Sequence, residues 1–187
     1  MQTKTDVGQL LTESFKKLAL KTPIEKITIK EITDEAGVIR PTFYHHFQDK
    51  YEVVEQIIQN EILTPAKPLL QNHMIDEAIV LIFTNLQKEK EFYVMLSKMQ
   101  GQNSFEQIVD GQLQQVLLEF FSENTEGRKA KKPWLTPQLL AMYYAQSMGF
   151  VLLQWIAQGM PGTPKEMAEI YNYIITRSMW DVVDEFE

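Results

Sequence analysis

The chain has 187 residues, 44% hydrophobic and 23% charged, with no cysteine. It is long enough to bury a real core, but thiolate catalysis, cysteine zinc sites and a disulfide framework are excluded. The formal net charge of -7 is uneven: residues 1–50 hold 8 Lys+Arg against 7 Asp+Glu, net +1, and residues 51–187 hold 10 against 18, net -8.

An acidic body behind a near-neutral head suits a protein that meets phosphates at one end only. The opening MQTKTDVGQLL lacks the layout of a secretory leader, so the cytoplasm is the expected location. Apolar residues recur at helical rather than strand spacing, which predicts an all-α fold. Val7, Leu10, Leu11, Ser14, Phe15 and Leu18 form a first stripe, ended before Pro23.

From Thr28 the signals come in a fixed order. Thr28 and Glu31 have capping-box spacing, predicting a helix with Ile29, Ile32 and Ala36 on one face. Gly37 ends it, because glycine accepts the left-handed conformation of a tight turn, and Val38 plugs the corner. A second short helix follows, with Pro41 tolerable in its first turn. Helical geometry turns Ile39, Phe43 and Phe47 inward and Pro41, Thr42, Tyr44 and His45 outward. Asp49, with Glu52 three residues on, caps a third helix through Val53, Val54, Ile57 and Ile58.

Further stripes follow at Ile75, Ala78, Ile79, Ile82, Phe83 and Leu86, then at Phe92, Met95, Leu96 and Met99, then from Phe105 to Phe120. Residues 122–135, with Gly127 and the basic run Arg128, Lys129, Lys131 and Lys132, read as an exposed connection. Thr136 and Pro137 then start a helix running to Gly159. Its most apolar stretch, 141–156, is interrupted by Gln146, Ser147 and Gln154 and reads as a buried core helix too short and polar to span a bilayer. Thr163, Pro164 and Glu166 start a last long helix, antiparallel to it. Both are apolar over more than one face, which predicts a four-helix interface with a second copy, with Met148, Leu152, Ile170, Ile174 and Met179 on it.

A short helix, a glycine turn and a second helix with exposed polar groups is the helix-turn-helix pattern, here residues 28–47, and the second helix enters the DNA major groove. Arg40 suits a guanine edge or a phosphate, Thr42 a base or phosphate, and Pro41 a thymine methyl. Tyr44, His45 and Lys50 are within reach of backbone oxygens, and Thr28 with the free amides beside it suits a further phosphate.

The stretch AGVIRPTFYHHFQDKYEVV resembles the signature of the tetracycline-repressor (TetR/AcrR) family: an Ala-Gly-Val turn, a Thr-aromatic-Tyr-x-x-Phe helix, then a Lys opening the next helix. The likeness covers roughly residues 7–55. It implies a three-helix DNA-binding head over residues 1–50 and a helical-bundle body over 51–187 that senses a ligand and dimerises. Carried over by position, it implies Thr28, Arg40, Pro41, Thr42, Tyr44, His45, His46 and Lys50 as DNA contacts. One departure is Ile39, where the family often has a capping residue; its absence costs about 1 kcal/mol. The segment FVLLQWIAQGMPGTPKEMAEI resembles a branch that includes an activator of dihydroxyacetone-kinase genes responding to a partner protein. The expected function is therefore a dimeric, effector-responsive repressor on a palindromic operator, with an activator or co-regulator under a protein partner as the alternative.

Adjacent His45 and His46 point about 100° apart and do not make a metal pair, so no metal or cofactor is expected. Phe83, Phe92, Met95, Met99, Tyr143 and Trp155 are the candidate residues of an effector pocket. The chain has no Gly-x-Ser-x-Gly, phosphate-loop or His-Glu-x-x-His motif, so an enzyme is not expected.

Overall fold

The computed structural model describes residues 6–184 and 186, and among these it is all-helical. The head is built from α1 (Val7–Ala19), α2 (Ile29–Ala36) and α3 (Arg40–Tyr44). Asp6 starts α1 by accepting the Gly8 amide at 3.0 Å, and Leu11, Phe15 and Ala19 carry its buried face. Both halves of the Thr28/Glu31 capping box form, and Gly37 takes φ 67°. Phe43 and Phe47 close the head core as the helical spacing predicts.

Ile39 does not join them. It is 69% exposed, because it stands in the cap position with extended backbone and α3 begins only at Arg40. No side chain caps α3, as the departure from the family pattern implied.

From Asp49, whose carboxylate accepts the Tyr51 and Glu52 amides, α4 (Lys50–Ile58) leaves the head. The chain stays helical through a wider π turn at Gln59–Leu63 into α5 (Thr64–Gln71). In that turn the Thr64 amide reaches Gln59 rather than Asn60, and the Glu61 carbonyl accepts from Asn85 Nδ2 at 2.9 Å. Nothing in the apolar periodicity announces this insertion.

The body consists of α6 (Ile75–Lys88), α7 (Lys90–Leu96), α8 (Phe105–Thr125), α9 (Pro137–Ala157), α10 (Pro164–Thr176) and α11 (Met179–Val183). Helices α8 and α9 pack closely, with Ala141, Ala145 and Gly149 buried along one seam of α9. A Cβ at Gly149 would stand 3.5 Å from Leu113 of α8, an ordinary packing distance. Helix α10 lies mainly on α6, and the Phe83 ring meets Trp155 at 4.9 Å and Tyr171 at 5.4 Å, both edge to face. That aromatic cluster joins α6, α9 and α10, and Trp155 Nε1 donates to the Pro161 carbonyl at 2.9 Å.

Three boundaries differ from expectation. Helix α8 runs to Thr125, since no breaker precedes Gly127, and the basic run falls in the connection beyond it. The last helix is not one long element: Arg177 turns to extended backbone and Ser178, in a second capping box with Asp181, starts the separate α11. Helix α9 starts at Pro137 as expected but ends at Ala157, ahead of Gly159, and its 21 residues are by length and composition long and apolar enough to cross a membrane, since Leu139 and Leu140 extend the apolar stretch ahead of Ala141. Only 33% of its apolar window is buried inside the protein, so the expected core helix is in part an exposed one.

One cluster of charge ties head to body. Lys16 of α1, its side chain only 8% exposed, pairs with Glu61 in the π turn at 2.6 Å and with Glu89 before α7 at 2.9 Å. Burial opposes the ammonium charge, but the two carboxylates outweigh it and hold the Lys16 pKa above its ordinary value. For Glu61 burial wins over the pull of Lys16, and its pKa lies above the usual carboxylate range.

Candidate nucleic-acid interface

The exposed face of α3 is organised by the buried one. Phe43 is fully enclosed and packs against Phe47, so the residues on either side of it are forced outward. Arg40, Pro41, Tyr44 and His45 consequently line one shallow surface hollow, with Thr42 half-buried beside them. Within it Arg40 Nη2 donates to the Tyr44 hydroxyl at 3.0 Å, and its guanidinium carbon lies 5.6 Å from the Tyr44 ring centroid. The pair uses one donor of the guanidinium fork and leaves others free. A guanidinium, a hydroxyl and an imidazole around this shallow hollow provide donors for base edges and phosphates, and the proline ring adds an apolar surface.

The other candidates stand apart from that strip. His46 faces the start of α1 and lies in a separate groove with Asp6, Gln9 and Thr12. A Cβ on Gly8 would come within 3.4 Å of its Nδ1. Thr28 is exposed, but its amide and hydroxyl both donate to Glu31, at 2.8 and 2.7 Å. The N-terminus of α2 is thus already supplied with a carboxylate. The hydrogen bonds from Thr28 hold that carboxyl below its usual range.

Lys50 is turned inward. Its ammonium donates to three carbonyls of the connection ahead of α2: Ile24 at 2.8 Å, Glu25 at 2.7 Å and Ile27 at 3.0 Å. Burial draws its pKa below the ordinary lysine value. In this arrangement Lys50 braces the entry to α2 against the start of α4. A lysine one residue after an N-cap carries no local sign of that role in the sequence.

In the body, an apolar cavity of about 70 Å³ lies among α4, the π turn and helices α6 to α10. Of the six pocket candidates only Phe83 is in its wall. Trp155 stacks behind Phe83, while Phe92 packs edge to face on Phe15 of the head at 6.4 Å. Met95 lies against Lys98, Met99 lines a different groove beside Phe150, and Tyr143 is 64% exposed. Wall residues that sequence reasoning missed include Ile62, Leu63, Tyr93, Phe105 and Gln112. Tyr93 is wholly buried and its hydroxyl has no hydrogen-bond partner. A buried donor left in this way costs about 1–3 kcal/mol. Among the described residues no group of three or more acidic or imidazole side chains is placed to hold a metal ion.

The expected interface residues divide as well. Met148 and Leu152 turn into the cavity wall, whereas Ile170, Ile174 and Met179 are exposed. The exposed stripe of α9 carries Met142, Tyr143 and Phe150 instead.

Residues 16–57 match the family described as bacterial regulatory proteins, tetR family, and residues 73–177 match a family described as transcriptional regulator C-terminal region. No curated protein is similar enough in sequence to count as a match. Among solved structures, the dihydroxyacetone kinase operon activator DhaS superposes with a TM-score of 0.64 at 16% identity, over 97% of this chain and 98% of that one. NalD of Pseudomonas aeruginosa, the secondary repressor of the MexAB-OprM multidrug efflux pump, gives 0.58 at 17% identity, over 89% and 92%. FadR of Thermus thermophilus, a repressor solved with lauroyl-CoA, gives 0.62 at 14% identity, over 92% and 94%. At these identities the likeness is one of fold.

Proposed function

Because the chain belongs to the TetR family of transcriptional regulators, we propose that it is a repressor whose homodimer binds a palindromic operator and leaves it when an effector occupies the body. The observation that carries this reading is the strip of Arg40, Pro41, Tyr44 and His45, held outward by Phe43. Phosphate contacts set the position of the dimer, and Arg40, Pro41 and Thr42 read sequence. His46, Thr28 and Lys50 act around that strip, Lys50 by holding the head together. Residues 1–50 form the DNA-binding unit and 51–187 the sensing and dimerising unit, working in the cytoplasm without a cofactor.

The dimer forms through the exposed faces of α9 and α10, where Met142, Tyr143, Phe150, Ile170 and Ile174 offer apolar surface that one chain leaves uncovered. Two copies related by a twofold axis would place two α3 helices on half-sites about one helical turn apart or slightly more.

A second reading has one observation in its favour. At about 70 Å³ the cavity is small for an effector pocket, which supports control by a protein partner, with the chain acting as an activator or co-regulator. The fold likeness to DhaS, named as an operon activator, agrees with that reading.

Selection of bound DNA from a random pool at low salt tests the proposal. A repressor or activator of this kind enriches one palindrome, and Arg40→Ala relaxes it at one base position in each half. A co-regulator that no longer reads DNA enriches none.

A further inference from the structure

Three elements of the chain converge on one buried ammonium. Lys16 of α1 pairs with Glu61 in the π turn and with Glu89, which ends α6 and whose carbonyl accepts the Tyr93 amide of α7 at 3.1 Å. The π turn is itself tied to α6 through the Glu61 carbonyl and Asn85. The same ammonium lies 5.8 Å from the Phe92 ring. A second polar contact between head and body, from the Gln100 amide to the Glu25 carboxylate at 3.2 Å, lies at the surface.

The apolar contact beside this cluster, Phe15 against Phe92, holds head to body without setting an angle, because burial of hydrocarbon is not directional. Charge-assisted hydrogen bonds from one ammonium to two carboxylates are directional. A buried ion pair is also a poor source of net stability compared with apolar residues of the same shape, and its best-attested use is to select one arrangement among several. The head moves as one body, since Phe43 is enclosed in its core and Lys50 ties α4 to the connection ahead of α2. His46, just past α3, sits against Gly8 at the far end of α1. That end lies roughly 12 Å along the helix from Lys16, so a tilt of about 15° moves it by about 3 Å. The rise of one DNA base pair is about 3.4 Å.

We propose that Lys16, Glu61 and Glu89 fix the angle of the head on the body and thereby set the half-site spacing that the dimer accepts. None of the three lies on the DNA-facing strip, so they are positioning residues: they act on where α3 is held, while the strip itself reads the bases. This inference rests on the operator-binding reading above and deepens it.

The test uses the full chain, which has no cysteine of its own, so spin labels attach only where one is introduced. Labels at the exposed positions Lys30→Cys in the head and Lys165→Cys in the body, in chains diluted with unlabelled copies, read the head-to-body distance by pulsed electron resonance without DNA. Lys16→Met/Glu61→Gln/Glu89→Gln removes all three charges at similar side-chain size, and the distance distribution should broaden. Affinity is then measured for the selected operator with its half-sites moved together or apart by one and two base pairs. Wild type should lose about tenfold for one base pair of displacement, the order of one wrong base pair, and the triple variant less than about threefold with its base preference inside each half-site intact. A head that is merely less stable would weaken every operator alike and leave the spacing profile as in wild type. Should the triple variant not fold, Glu89→Gln, at a side chain 40% exposed, gives the same two changes in smaller measure. The variant that folds overturns the proposal if it keeps both the wild-type distance distribution and the wild-type spacing profile. If wild type selects no palindrome while the distribution broadens in the variant, the operator-binding reading fails and the cluster stands as what fixes the head. If a palindrome is selected and neither profile changes, the reverse holds.

Discussion

The guanidinium of Arg40 is held by Tyr44, with Nη2 3.0 Å from the hydroxyl and the guanidinium carbon 5.6 Å from the ring centroid. The two residues are one turn apart on a helix only five residues long. On the proposed function, this contact favours one orientation of a flexible cation before DNA arrives, which would lower the entropy lost on binding. Arg40→Ala is expected to cost about 1–3 kcal/mol of discrimination at a single base position. Tyr44→Phe keeps the ring and should lower discrimination at that same position by less. Competition anisotropy against operators with single-base changes separates the two, and equal losses at every position would place Arg40 on the phosphates instead.

Lys50 offers a contrast between brace and contact. Its ammonium already has three carbonyl partners inside the head, so Lys50→Met should lower the melting temperature. The slope of log affinity against log salt should stay as in wild type. A phosphate contact behaves in the opposite way: its loss flattens that slope by about 1 and leaves stability alone.

Phe43 has no exposed surface and supports the whole outward strip. Phe43→Ala should cost about 3–5 kcal/mol, read as an early unfolding of the head in thermal melts. Retention of wild-type stability would mean that the strip is not positioned by the head core.

These residues also mark how far the sequence can be read. The head is legible because its signals are local: the Thr28/Glu31 box, Gly37 in the turn, and Phe43 and Phe47 four residues apart all act within one or two turns of helix. Ile39 misleads because it stands one residue ahead of a helix start that no side chain caps, where helical spacing no longer sets its direction. The cavity is not legible, since its wall comes from seven segments spread from α4 to α10, one of them the π turn that shifts the helical register. Met148 and Leu152 satisfy the pattern for a face between subunits as well as they satisfy a cavity wall, and only the packing of α9 on its neighbours decides. The Lys16 cluster joins residues 45 and 73 positions apart, a separation that carries no periodic signal.

Stability should fall in alkali. Burial pushes the phenols of Tyr93 and Tyr171 up from 10.0, and Glu61 and Glu89 overcome burial to hold Lys16 above 10.5. In each case the folded protein keeps a proton that the unfolded chain releases. The contribution is whole below about pH 10 and is lost as the pH rises beyond it. Urea midpoints measured from about pH 9 to pH 11 should decline. Tyr93→Phe should decline less steeply, and an identical slope would show that this phenol titrates alike in both states.

The α9 stripe makes a prediction about assembly. Phe150 is 65% exposed in the single chain, so Phe150→Glu should leave the fold intact. Within a dimer face an unpaired charge costs about 3–5 kcal/mol, enough to shift the protein to monomer in sedimentation velocity. A dimer unaffected by Phe150→Glu would move the interface to another surface.

The central claim, a dimer that reads two half-sites through α3, is tested most directly by sedimentation of the full chain with its selected operator at several salt concentrations. The account predicts two chains on each palindrome, a steep loss of affinity as salt rises, and collapse of binding when one half-site is scrambled. One chain bound per duplex, with affinity indifferent to the second half-site, would contradict it.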